Sequence, residues 1–302
     1  MKAFLTLALV SLVFAGPSIL TEDQKEVVPD SAIEYINTVQ NLWVASSKWV
    51  KGMTKGEAKK FATLSFTSES LYPDAEILQA PRNLPWFFDT RWNFYGCEIP
   101  ILDQGQCGSC WAFAAAETLS ERVCIASQGN VHVVLSPQYL VSCDAKNYGC
   151  DGGYLGEAWN FMRKGIPSYN CVNYTASDSQ CMNTCDDGSE MVLYKAANVQ
   201  AFRGPQSIKV ALFTEGPVET GFEVYEDFLS YSSGIYVHTY GGLLGGHAVK
   251  IVGWGVSGNV EYWTCANSWG TGWGYEGYFY IAFGQCGIDS LAYAGRAILP
   301  PQ

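Results

Sequence analysis

The chain has 302 residues and a mass of 33.1 kDa, room for one large domain or two small ones. Hydrophobic residues make up 48% and charged residues 16%, a balance that excludes a mainly disordered chain. Asp and Glu number 29 against 18 Lys and Arg, a net charge of −11, and this excludes a dedicated nucleic-acid binder, whose affinity comes mostly from neutralising phosphate.

Met1-Lys2 precedes an apolar run to Ala15, interrupted by Thr6 and Ser11. One positive charge, a short apolar core and a small residue at the end predict a secretory signal peptide over residues 1–15. The run is shorter than the ~20 residues a bilayer requires, and no later stretch is longer, so no membrane span is expected. Ile33, Ile36, Val39, Leu42 and Trp43 recur at steps of three and four, which predicts one helix face. A second short element covers residues 53–64. Ser65 begins a polar stretch, and Ala80-Pro81-Arg82-Asn83 reads as a linker.

From Leu84 the texture changes. Helical signals dominate to about residue 170: an apolar helix opening at Ser109 or Cys110, a helix capped by Ser136 with Pro137 at its first position, and a third over residues 153–164, with Gly165 placed to end it. Strand signals follow, at residues 248–252, 262–266 and 278–283, with one helix near 206–214. A helical half followed by a β half predicts an α+β enzyme with a cleft between them. All 11 cysteines lie at or after Cys97. In an oxidising compartment most are expected in disulfides, and residues 16–83 form a unit not stapled to the rest.

The densest chemical signal is Gln104-Gly105-Gln106-Cys107-Gly108-Ser109-Cys110-Trp111. Cys110 meets the start of a helix, where unpaired N–H groups and the macrodipole favour thiolate over thiol, and a nearby imidazolium lowers the pKa further. Spacing alone leaves other readings of Cys107-x-x-Cys110 open. A redox pair lacks the βαβ context, a zinc half-site conflicts with oxidation, and two ordinary disulfide cysteines fit the pattern. His132 and His238 sit in no motif and read as ordinary histidines. His247 follows Gly245-Gly246 and precedes a strand.

Cys-Gly-Ser-Cys-Trp with a His and an Asn about 130–150 residues downstream is the local signature of papain and cathepsin nucleophiles. His247 falls inside that interval and Asn267 a little beyond it. The sequence resembles the papain-like cysteine proteases, in their cathepsin B-like branch. The resemblance rests on that block, on Cys150-Asp151-Gly152-Gly153 (Asp151 is usually Asn in the family), Gly216-Pro217-Val218-Glu219, Gly245-Gly246-His247-Ala248 and Asn267-Ser268-Trp269-Gly270. It implies a two-lobed fold, with a helical left lobe (about 84–175), a β-barrel-like right lobe (about 176–302) and the active-site cleft between them. It implies a mature peptidase of residues 84–302 and a propeptide of residues 16–83 that blocks the cleft until removed. Cys110 is then the nucleophile, His247 its general base and acid, Asn267 the residue orienting His247, and Gln104 the side chain of the oxyanion hole. Gly152 and Gly153 pair with substrate backbone, and Trp269 shields the Asn267–His247 hydrogen bond. The resemblance also implies the disulfides Cys97–Cys124, Cys107–Cys150, Cys143–Cys181 and Cys171–Cys185, with Cys265 a buried free thiol and Cys286 unpaired.

Two departures bear on specificity. In the cathepsin B-like branch a long loop carries a His pair that captures a substrate C-terminus; residues 171–185 are short and contain no His, so an endopeptidase with little peptidyl-dipeptidase activity is expected. Leu291 stands where the branch has an acidic residue at the floor of the pocket for the second residue before the scissile bond. Apolar side chains are therefore expected there, although Asp289 lies nearby. Asn173-Tyr174-Thr175 is an N-glycosylation sequon. The expected partners are protein and peptide substrates, the chain's own propeptide and cystatin-type inhibitors. No cofactor or metal is expected, and the expected state is a monomer, in a lysosome-like acidic compartment or secreted. The rivals are a catalytically silent binding protein and an acyl transferase or ligase on the same fold.

Overall fold

The computed structural model describes residues 20–66, 72 and 83–300. The expected signal peptide and residues 73–82, just before the expected processing point, lie outside the described residues. The first helix, α1 (Asp30–Val39), ends where the Gln40 side chain takes over the backbone's hydrogen bonds. Its Nε2 donates to the Ile36 and Trp43 carbonyls (3.2 and 2.7 Å), and its Oε1 accepts from the Leu42 and Trp43 N–H groups (2.8 and 3.0 Å). This turn corrects the single helix face expected through Trp43: Leu42 and Trp43 leave the helix, and Trp43 opens strand β1 (Trp43–Ala45). The one-turn helix α2 (Lys55–Ala58) is closed by a capping box between Thr54 and Glu57.

Strand β2 (Phe88–Asp89) and the short α3 (Thr90–Asn93) begin the second part of the chain. The long α4 (Cys110–Ala126) follows, then α5 (Pro137–Cys143), where Ser136 accepts from the Tyr139 N–H and Pro137 sits at the first turn, and α6 (Leu155–Met162). The remainder is β3 (Lys195–Phe202), α7 (Gly204–Glu215), β4 (Val218–Tyr225), β5 (Tyr231–Tyr236), β6 (Leu243–Ser257), β7 (Val260–Ala266), β8 (Tyr278–Ala282) and β9 (Ala292–Ile298). These strands form one sheet in the order β1-β5-β8-β7-β6-β4-β9-β3, with β2 also paired to β6. The pairings are antiparallel except β5 with β8. The helical and β halves stand as expected, but the barrel-like second lobe is an open sheet. The leading segment's β1 extends that sheet, and the end strands, β1 and β3, have no pairing with each other among the described residues.

Helix α4 lies against β6 and β9 and against α5 and α6, with every residue from Cys110 to Cys124 buried. A helix apolar all round would suit that position, yet α4 carries Glu117 and Glu121. Both face Lys250 of β6, whose Nζ lies 2.5 Å from Glu121 and 3.7 Å from Glu117. The main core is continuous from Val27, Ile36, Trp43 and Phe61 of the leading segment to Trp263 and Phe279 of the sheet. Four disulfides join Cys97–Cys124, Cys107–Cys150, Cys143–Cys181 and Cys171–Cys185, the pairing the resemblance implied. Cys265 is free and wholly buried, as expected, and Cys286 is free and half-buried. Among the described residues no helix is long and apolar enough to cross a membrane.

Candidate active site

Cys110 is the first residue of α4, and Ser109 before it has not yet adopted helical angles. The Cys107–Cys150 disulfide and the hydrogen bond from Gly108 N–H to the Cys150 carbonyl (2.8 Å) hold this turn against residues 150–153. From the other wall, β6 brings His247 opposite Phe222 of β4, and Asn267 follows the end of β7. His247 Nε2 donates to Asn267 Oδ1 at 2.7 Å. An amide oxygen only accepts, so the neutral ring carries its hydrogen on Nε2 and leaves Nδ1 as the base. Nδ1 makes no hydrogen bond. Trp269 covers this pair, its ring 4.7 Å from the imidazole.

Gln104 is fixed at both ends of its side chain. Ser268 Oγ donates to Oε1 (2.7 Å), and Nε2 donates to the Cys107 carbonyl (3.0 Å). The first bond sets which way the carboxamide faces, and the second uses one of its two N–H donors.

The leading segment threads this cleft. Leu64 N–H donates to the Gly246 carbonyl and Ser65 N–H to the Gly153 carbonyl, both at 2.9 Å, so the segment is paired to both walls at once. Thr63 donates to the Gly108 carbonyl at 3.0 Å. At Gly152 (φ +112°) an added Cβ would stand 2.1 Å from the Thr63 carbonyl oxygen, so only glycine lets a chain approach this closely. Trp49 stacks on Trp269 at 5.4 Å, and Phe61 meets the same ring edge-on at 5.5 Å.

With the segment seated, burial reverses the electrostatics expected of the thiol. Burial pushes Cys110 up to about 11, against the opposing pull of the Ala248 and Trp111 N–H groups and the Thr63 hydroxyl. Burial likewise takes His247 down to about 4, against Asn267 and the Phe61 carbonyl, which favour the protonated ring. Under the segment both groups are therefore neutral, one a thiol and the other an imidazole. The helix terminus is in place, but desolvation outweighs it while the segment stays seated.

Beside the cleft lies a cavity of about 530 Å³ lined by Leu64, Phe66, Leu155, Gly221, Leu291 and Tyr293, with the exposed Arg203 and Glu223 also on its wall. Asp289 is committed elsewhere: its Oδ2 accepts from Trp263 Nε1 (3.2 Å) and from the Gly284 N–H (2.9 Å). His132 lies beside Cys124, and His238 pairs with Asp227 (3.1 Å) and stacks on Tyr225; neither joins the site. Asn173 is exposed, its Nδ2 donating to Asp186 (2.8 Å). Among the described residues no cluster of His, Cys, Asp and Glu could hold a metal ion. Sequence reasoning missed Ser268, Tyr174 and the cleft-filling residues Thr63, Leu64 and Phe66. Ser268 lay inside a quoted motif, but its bond to Gln104 spans two distant loops.

The family description "Papain family cysteine protease" matches residues 84–296. "Cathepsin B-like CP3" of Giardia intestinalis is 36% identical, covering 98% of this chain and 99% of its own. "Cathepsin B-like cysteine proteinase 5" of Caenorhabditis elegans is 33% identical, covering 96% and 97%. Among solved structures, procathepsin B S9 from Trypanosoma congolense superposes with a TM-score of 0.86 at 32% identity, covering 91% of this chain and all of that one. Digestive procathepsin L2 from Tenebrio molitor gives 0.75 at 27% identity, covering 90% of this chain and 88% of its own. With a helix-borne cysteine, a strand-borne histidine and a leading segment laid through the cleft between them, the chain belongs to the papain family of cysteine proteases, in its cathepsin B-like branch.

Proposed function

We propose that the protein is a cysteine endopeptidase made as a zymogen, in which residues 16–83 are the propeptide and residues 84–302 the mature enzyme. In the uncovered cleft Cys110 loses its proton to His247 Nδ1, and the thiolate adds to the carbonyl carbon of an extended peptide lying along Gly152 and Gly153. The oxyanion is met by the second N–H of the Gln104 carboxamide and by the Cys110 backbone N–H, donors typically worth ~2.7–4 kcal/mol each in such sites. His247 then protonates the leaving amine, and water hydrolyses the thioester. Asn267 keeps the ring in the Nε2–H tautomer throughout, and Trp269 screens their hydrogen bond from water.

The observation that carries this reading is the 2.7 Å bond from His247 to Asn267, which fixes the Nε2–H tautomer and leaves Nδ1 as the available base. Four disulfides support passage through the secretory pathway. The absence of His from residues 171–185 supports endopeptidase over dipeptidase action, because nothing cationic is placed there to hold a terminal carboxylate.

The test uses the full chain at pH 4.5. Conversion to a form beginning near residue 84 is expected, with an epoxide inhibitor then labelling Cys110 and internal bonds of a long peptide being cleaved. Efficient release of C-terminal dipeptides would overturn the endopeptidase assignment. A converted chain that takes the label but hydrolyses nothing would overturn the enzyme itself.

A further inference from the structure

The short disulfide loop reaches the reaction centre through one side chain, Tyr174. Its ring is half-buried and meets Phe113 of α4 edge-on, with centroids 4.6 Å apart and planes at 88°. Its hydroxyl donates to the Gln104 carbonyl at 2.8 Å and lies 2.7 Å from Ser109 Oγ. The carbonyl can only accept, so the single phenol hydrogen goes to Gln104 and the Ser109 hydroxyl donates to the phenol oxygen. Burial pushes the phenol up to about 12, so that hydrogen is retained.

The two partners, a backbone carbonyl and a side-chain hydroxyl, belong to the residues that bear or adjoin the two oxyanion donors. Gln104 bears one on its own side chain, and Ser109 immediately precedes the Cys110 N–H. One oxygen atom thus spans both sides of the hole. The loop that presents it is itself held: Thr175 N–H and Oγ1 donate to Gln138 Oε1 (2.9 and 3.1 Å), and Asn173 N–H donates to Asp186 (2.9 Å) beyond the Cys171–Cys185 bridge.

We propose that Tyr174 is a positioning residue for the oxyanion hole, setting the spacing between the Gln104 carboxamide and the Cys110 N–H. This rests on the reading of those two groups as the oxyanion donors. Donors must meet the oxygen at its transition-state position, and small errors of placement cost rate steeply. The cysteine's own chemistry does not pass through Tyr174, so its effect is confined to steps that create an oxyanion.

The test compares wild type, Tyr174→Phe, Ser109→Ala and Gln104→Ala, each made as the full chain and converted with pepsin. Three quantities are read: kcat and KM for a peptide substrate, affinity for a peptide aldehyde, and the rate of alkylation by iodoacetamide. The aldehyde accepts the Cys110 sulfur at its carbon, and the thiol's proton passes to the new oxygen through His247. The resulting hemithioacetal places that oxygen in the hole as a hydroxyl, in the position of the tetrahedral oxyanion, whereas alkylation places no oxygen there. Tyr174→Phe is expected to lower kcat about tenfold, equivalent to ~1.4 kcal/mol, with KM little changed. Aldehyde affinity should fall by the same factor and alkylation should be unaffected. Ser109→Ala should shift the same quantities in the same direction by less, and supplies the test if the phenylalanine variant does not fold. Unchanged kcat and aldehyde affinity in both variants would overturn the proposal, as would an equal loss in alkylation, which marks a general structural role. If Gln104→Ala also leaves aldehyde affinity intact, the oxyanion reading of Gln104 fails rather than the role of Tyr174 alone.

Discussion

Leu291 lines the cavity beside the cleft, whose wall also carries the exposed Arg203 and Glu223. The nearest acid in sequence, Asp289, is occupied by Trp263 and the Gly284 N–H, so its carboxylate does not soften the apolar floor. The chain's own Leu64 and Phe66 line the same space, a direct indication of the side chains it accepts. If this cavity receives the second residue before the scissile bond, as the resemblance implies, Leu291→Glu should raise the preference for a basic side chain there. A charge-assisted hydrogen bond is worth ~1.5–3 kcal/mol, so cleavage with Arg relative to Phe at that subsite should rise about tenfold to a hundredfold in kcat/KM. An unchanged Arg/Phe ratio would remove Leu291 from the floor of the pocket. The residues legible in the sequence share one property: Gln104, Cys110, His247 and Asn267 each sit in a short run whose turn residues and neighbours are needed for the same chemistry. Tyr174 had no such neighbourhood. It was visible only as the middle of a sequon, because its two partners lie 70 and 65 residues away in the chain.

The elements that frame the cleft carry their own electrostatic problem. Helix α4 buries Glu117 and Glu121 on its inner face, and Lys250 of β6 is the cation that meets them. Burial raises both carboxyls, Glu117 to about 7, and Lys250 opposes that rise. Lys250→Met would leave two buried carboxylates without a countercharge, a change that typically costs ~3–5 kcal/mol. The sign of its pH dependence follows from the raised pKa values. A carboxyl raised in the folded state binds its proton there more readily than in the unfolded chain, so the variant's deficit should shrink as pH falls from 7.5 to 5. Urea midpoints of the unprocessed Cys110→Ser chain with and without Lys250→Met, at both pH values, would check this; a deficit independent of pH would place the loss in packing. Pattern reading found α4 to α7 and parts of β6, β7 and β8, named no strand at β3, β4, β5 or β9, and mistook the chain at Leu42 and Trp43. Their spacing does fit a helix, and what ends the helix is the Gln40 carboxamide, which holds three backbone groups of the next residues. Periodicity cannot register a side chain that competes for backbone hydrogen bonds.

At the scale of the molecule, the leading segment is both a strand of the sheet and the occupant of the cleft. Strand β1 pairs with β5, Trp43 Nε1 donates to the Val237 carbonyl at 3.0 Å, and Lys55 meets Glu226 at 2.7 Å before residues 61–66 reach Cys110. The strand pairing and the Trp43 bond contain no titratable group, and the raised pKa of Lys55 keeps it charged between pH 4 and 7. His247 does titrate. Under the segment its pKa is depressed to about 4, against an ordinary 6.5 for a ring open to water. Above about 6.5 neither form binds the proton and the cover is unaffected. Between 6.5 and 4 the open form binds a proton that the covered form cannot, so each unit of acidification shifts the balance toward opening, by up to about tenfold. Below 4 both forms are protonated and the drift ends. In the Cys110→Ser full chain, which cannot cut itself, exchange protection of the Leu64 and Ser65 amides should therefore decline steadily across that window, after correction for intrinsic rates. The decline should vanish in a second chain that also carries His247→Ala. Protection that is flat from pH 6.5 to 4, or that falls equally without the imidazole, would show that acid opens the cleft through some other group.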